Sequence, residues 1–101
     1  MLLMKKLFFE AIRSGRKTVT VRFWRYARLS GGQVHTIPGL GKVRIERVEP
    51  IEPRDLTEKL ARSDGFDCLG DMKLALSEMY GTMDGSDGRR LFAVHFAYLR
   101  P

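Results

Sequence analysis

The sequence predicts an α+β fold: a small curled sheet or barrel with helices around it. Three patterns lead there. Apolar residues recur at helical spacing near the N-terminus and again between residues 54 and 80. Three other segments alternate with the period of two that marks strands, and a fourth is a short strand between turns. Clusters of glycine and proline separate them. A chain of 101 residues makes one domain, 1–101, with a single compact core.

The first element is a helix over Leu3 to Ser14. Leu3, Leu7 and Ala11, with Phe8 and Ile12, form its apolar stripe, and Gly15 ends it. Thr18 to Trp24 then alternates as a strand, with Val19, Val21 and Phe23 on the core face. Ser30-Gly31-Gly32 is a turn, Gln33 to Ile37 a short strand, and Pro38-Gly39-Leu40-Gly41 a second turn. Lys42 to Glu49 is the third strand. Its alternation breaks at Arg47-Val48, which suggests a bulge or a strand end.

Pro50-Ile51-Glu52-Pro53 interrupts strand pairing and leads into a helix over Arg54 to Ser63. Asp64-Gly65-Phe66 ends that helix. Another runs from Leu69 to Tyr80, with Asp67 as a candidate N-cap, a stripe of Leu69, Met72, Leu76 and Met79, and Gly81 as its stop. Thr82 to Arg90 reads as a polar loop, and Leu91 to Leu99 as the last strand.

Charge is distributed unevenly. Met1 to Val48 holds eleven lysines and arginines against Glu10 and Glu46, whereas Glu49 to Pro101 is net acidic. A concentrated basic surface attracts polyanions, which favours RNA or another phosphate-bearing partner. The other reading is a merely solvated basic face. No apolar run is long enough to span a membrane. Lysines break the apolar N-terminal run, and no signal-cleavage site follows it. Cys68 is alone, so no internal disulfide or cysteine metal site is expected, and a reducing cytoplasmic location fits. His35 and His95 have no metal-binding spacing and read as structural. No cofactor motif occurs; Gly15-Arg16-Lys17-Thr18 lacks the upstream glycine of a phosphate loop.

The chemistry-bearing stretch is Gly15-Arg16-Lys17-Thr18-Val19-Thr20-Val21-Arg22, at a turn-to-strand junction. It can hold an anion, or it can place the Thr20 hydroxyl beside the Lys17 amine as a nucleophile and its base. Residues three apart on a regular strand face opposite sides. The second reading therefore requires Lys17 to sit in the turn, before the strand begins. Downstream, Trp24 and Tyr26 lie among Arg22, Arg25 and Arg28, an interleaving suited to base stacking and phosphate pairing. Alternatively, Trp24 covers the mouth of the core.

This stretch, following an amphipathic helix, resembles the hallmark of the ASCH domain family. Leu56-Thr57-Glu58-Lys59-Leu60-Ala61-Arg62-Ser63-Asp64-Gly65-Phe66 resembles the family's helix and its acid-glycine-aromatic step, and Phe92-Ala93-Val94-His95-Phe96 its last strand. The resemblance implies a small PUA-like β-barrel with flanking helices and an association with RNA. Small bacterial members are amidohydrolases that deacetylate N4-acetylcytidine. On that likeness Lys17 would be the base, Thr20 the nucleophile and Asp64 the acid, with Arg22 anchoring an anionic or carbonyl group. Asp64 departs from the family's glutamate and is one methylene shorter, which weighs against hydrolysis. The favoured expectation is an RNA- or nucleoside-binding cleft at Lys17 to Arg22, contacted by Arg16, Trp24, Arg25, Tyr26 and Arg28. Hydrolysis of an acylated cytidine is the alternative. Arg89 and Arg90, in the last loop, are placed on neither side.

Overall fold

A computed structural model describes residues 1–101. A short 3₁₀ turn, Lys6–Phe8, runs into α1 (Phe9–Arg13). Strands β1 (Val19–Trp24), β2 (Val34–Ile37) and β3 (Gly41–Ile51) follow. Then come a 3₁₀ turn at Pro53–Asp55, α2 (Glu58–Ser63), α3 (Leu69–Tyr80) and β4 (Arg90–Leu99). The four strands form one antiparallel sheet in the order β1-β4-β3-β2. The sheet curls as a half-barrel with helices on it. It leaves β1 and β2 as its two edges, so the expected barrel is partial.

Both faces of the sheet are covered, which is why β4 is buried at four successive positions, Leu91 to Val94. One face carries Ile37, Val43, Ile45, Val94 and Phe96, packed under Leu2, Phe8, Phe9 and Ile12. The other carries Val21, Phe23 and Leu91, packed under Ala61 of α2 and Met72 and Leu76 of α3. Val19, Val21 and Phe23 are buried together, as their alternation predicts. The bulge in β3 falls between Ile45 and Arg47, close to the expected break.

Several boundaries differ from the sequence reading. The first helix is one 3₁₀ turn plus five α-helical residues. Its buried residues are Phe8, Phe9, Ala11 and Ile12, whereas Leu3 and Leu7 are exposed. β3 runs through Pro50 to Ile51. Proline is tolerated there because β2 pairs only with Gly41 to Arg44, leaving the far half of β3 with a free side. The helix expected from Arg54 is broken at Leu56 and restarts behind Thr57, whose hydroxyl caps the Leu60 N–H. Cys68, not Asp67, occupies the N-cap of α3.

Two glycines set the course of the chain around β1. Gly15 has φ +80°, and the turn it makes lets the Lys17 N–H reach the Ala11 carbonyl at 2.9 Å. Gly65 has φ +90°, and a Cβ there would lie 2.9 Å from Phe8 Cδ1. Gly32 has the same φ but open space around it. Gly65→Ala and Gly32→Ala therefore share a backbone cost of about 1–2 kcal/mol. Only Gly65→Ala adds a collision with Phe8, so its urea midpoint should fall further. Equal losses would show that the Phe8 contact yields without penalty.

Candidate functional site

β1 is an edge strand, and its hydrogen-bonding pattern decides what the site contains. The Phe96 N–H bonds the Thr18 carbonyl, which sets the register so that Thr20 and Arg22 turn their main-chain groups toward β4. Val19 and Val21 turn theirs outward. An edge left bare exposes unpaired N–H and C=O groups. Here a lysine and an aspartate fill that role. Lys17 Nζ donates to the Val19 carbonyl at 3.0 Å, and the Val21 N–H donates to Asp64 Oδ2 at 3.3 Å. Lys17 Nζ also donates to the Asp64 carbonyl at 2.6 Å and to Asp64 Oδ1 in a direct ion pair. The ammonium thus has an acceptor for each proton, and the Phe8 ring lies 4.5 Å from it.

Lys17 is 2% exposed and Asp64 4%. Burial lowers the Lys17 pKa, an effect opposed by the adjacent carboxylate. Burial raises the Asp64 pKa, opposed by the adjacent ammonium. Both shifts favour the uncharged form of each partner relative to the same group in water.

Lys17 precedes β1 by two residues, so it lies in the turn that follows Gly15. That resolves the objection from strand alternation: Lys17 and Thr20 reach the same cleft, and Asp64 joins them from the end of α2. The cleft encloses about 430 Å³ and is mostly apolar. Thr20 and Arg22 stand on one wall, and Ala75, Leu76 and Met79 of α3 on another. The N-terminal segment, with Leu3 and Leu7, forms its rim. Arg22 Nε donates to Thr20 Oγ1 at 3.1 Å, and its Nη2 donates to the Leu3 carbonyl at 2.8 Å.

The remaining candidate residues lie elsewhere. Arg16 is exposed and outside the cleft. Trp24 is half-buried, with its ring 5.9 Å from that of Phe92, so it covers the edge of the core. Arg25, Tyr26 and Arg28 are exposed beyond the end of β1, away from Lys17 and Thr20. Arg89 pairs with Asp87 at 2.6 Å and lies over the Phe23 ring, and Arg90 pairs with Trp24 in the sheet. His35 and His95 bond Gln33 and Glu49 respectively. No three His, Cys, Asp or Glu side chains gather to hold a metal ion. No helix is long and apolar enough to cross a membrane.

Sequence reasoning missed Phe8 as the ring against the ammonium, and it missed the apolar rim. It also gave no sign that the outward main-chain groups of β1 belong to the site. Only the edge position of the strand reveals those.

Solved structures of similar fold include the hypothetical protein PH0355 (TM-score 0.72, 11% identity, covering 96% of this chain and 95% of that one). Another is protein EF3133 from Enterococcus faecalis V583, of family-model DUF984 (TM-score 0.64, 19% identity, 94% and 74%). A third is protein PF0455 from Pyrococcus furiosus (TM-score 0.64, 17% identity, 98% and 96%). At these identities the likeness concerns the fold alone. No protein-family model matches the chain, and no curated protein does so significantly.

Removing one partner of the buried pair has a signed consequence. In Lys17→Met only the Val21 N–H and the Arg22 charge still oppose the effect of burial on Asp64. A carboxyl whose folded pKa is raised contributes stability fully below the unfolded value, near 3.8. That contribution is lost as pH rises through the folded pKa. The variant should therefore be most stable in acid and fall about 3–5 kcal/mol below wild type by neutral pH. Urea unfolding at several pH values reads this. A deficit that stays constant with pH would show that Asp64 does not titrate in the variant.

Proposed function

We propose that the chain is an ASCH-type, PUA-like domain whose cleft takes an N-acylated nucleoside of the N4-acetylcytidine class and hydrolyses its amide. The reading is carried by the buried Lys17–Asp64 pair on the wall of a nucleoside-sized cleft that Thr20 also lines. Two considerations set against hydrolysis can be answered. Asp64 is short, yet its carboxylate reaches both Lys17 Nζ and the Val21 N–H. The basic-aromatic segment from Trp24 to Arg28 lies outside the cleft.

The chemistry follows from proton placement. Transfer of one proton from Lys17 to Asp64 Oδ1 gives a neutral amine and a neutral carboxyl, the form that burial favours. The amine, turning its lone pair from Asp64 into the cleft, takes the Thr20 proton as Oγ1 bonds to the acyl carbon. Arg22 Nε donates to the hydroxyl oxygen. Collapse of the tetrahedral adduct breaks the C–N bond, and Lys17 returns the proton to the leaving exocyclic amine. Water then cleaves the threonyl ester, releasing the carboxylic acid and restoring Thr20. The sum is amide plus water giving acid plus amine.

Chromatography of N4-acetylcytidine incubated with the protein tests this. Wild type should release cytidine, Thr20→Ala none, and Asp64→Asn about 10²–10⁴-fold less. Full turnover in Thr20→Ala would reject the nucleophile. No turnover by folded wild type would reject hydrolysis.

A second reading, RNA binding, rests on the exposed Arg25, Tyr26 and Arg28. It requires affinity for single-stranded RNA that falls steeply with salt and weakens in Arg25→Ala. Salt-independent binding would remove it.

A further inference from the structure

The cleft has an unusual mouth. Leu3 is 66% exposed, Leu7 72% and Met79 50%, and all three line the same opening. Only seven large apolar residues are exposed in the whole chain. A grouping of several around one cleft marks a binding surface, whereas scattered ones do not. Leu3 and Leu7 are not placed there by a need for core packing, since Phe8, Phe9 and Ile12 fill that role. The polar groups, Thr20, Lys17, Asp64 and Arg22, lie together in the same cleft. An elongated ligand can therefore set its reacting or charged end among them and run an apolar portion out across Leu3, Leu7 and Met79.

We infer that the ligand carries an extended apolar acyl chain, which the Leu3–Leu7–Met79 rim receives while its carbonyl end lies at Thr20 and Arg22. The inference rests on the amide-hydrolysis reading for the identity of the ligand's polar end, and it deepens that reading by naming the acyl group. An acetyl group offers the rim only a single methyl. A chain of several methylenes covers the rim and removes its apolar surface from water. Each CH₂ so buried should tighten binding about fourfold.

The test separates this inference from the hydrolysis itself. Straight-chain carboxylates from acetate to decanoate are titrated into wild type and Thr20→Ala by calorimetry. They are the products of the proposed cleavage and need no turnover to bind. Affinity should climb about fourfold per methylene until the rim is covered, equally in both proteins. Leu7→Asp and Met79→Asp, at exposed positions, should keep the fold and flatten that climb, weakening decanoate more than tenfold. In parallel, wild type is offered acetyl and decanoyl amides of cytidine.

Chain-length-dependent binding without any amide cleavage would overturn the hydrolase reading and leave the apolar-chain site standing. Cleavage of both amides at equal kcat/KM, with carboxylate affinity independent of length, would overturn this inference and leave the hydrolase reading intact. A climb that persists in Leu7→Asp and Met79→Asp would overturn the assignment to the rim. Burial of the rim against a second copy in solution, seen as a dimer that Leu7→Asp dissolves and that binds no decanoate, would overturn it too.

Discussion

The structure depends on how the free edge of β1 is closed. An edge strand must do something with the N–H and C=O groups it points away from the sheet. Here no further strand supplies partners. The Lys17 ammonium takes the Val19 carbonyl, and the Asp64 carboxylate takes the Val21 N–H. The two side chains then bind each other. A two-residue ion pair thus does locally what a fifth strand would do along its length. Because side chains close the edge, room for a cleft is left beside it.

This arrangement ties the site to the fold at several points. The Asp64 carbonyl also accepts from Lys17, and the Thr18 N–H bonds the Ser63 carbonyl, so the end of α2 is fastened to the start of β1. Gly65 lets Phe8 and the Lys17 stem approach the chain closely. A buried ion pair is weak evidence for stability, because desolvation offsets much of the Coulomb attraction. Its value here lies in the main-chain groups it satisfies. No buried side-chain polar atom is left without a partner. The short aspartate suits this geometry: its own carbonyl and its carboxylate both reach one ammonium. A glutamate would have to fold back to present both acceptors.

Much of this was legible in the sequence, and the losses have physical causes. Alternation placed Val19, Val21 and Phe23 in the core correctly, since burial on one face imposes a period of two. Lys17, Thr20 and Asp64 could be named as a group, but their convergence could not be read from spacing. It depends on the Gly15 turn ending before β1 begins. Leu3 and Leu7 fitted a helical stripe, yet the helix starts later and Phe8, Phe9 and Ile12 take the core positions. Trp24 and its arginine neighbours looked like one binding segment. In three dimensions Trp24 belongs to the core edge by Phe92, while Arg25 and Tyr26 have left the sheet.

The misread residues and the well-read ones meet in the same cleft. Its polar groups come from a turn, an edge strand and the end of a helix, elements that the fold must hold rigidly to close the sheet. Its apolar rim comes from Leu3 and Leu7 of the N-terminal segment and Met79 of α3, side chains outside the buried core. The Arg22 guanidinium connects the two, bonding Thr20 with one nitrogen and the Leu3 carbonyl with another. Movement of the N-terminal segment would therefore be felt at the Thr20 hydroxyl through a single side chain. The wall that must be exact is built on the sheet, and the wall that must admit a ligand is built on the segment held to it by Arg22.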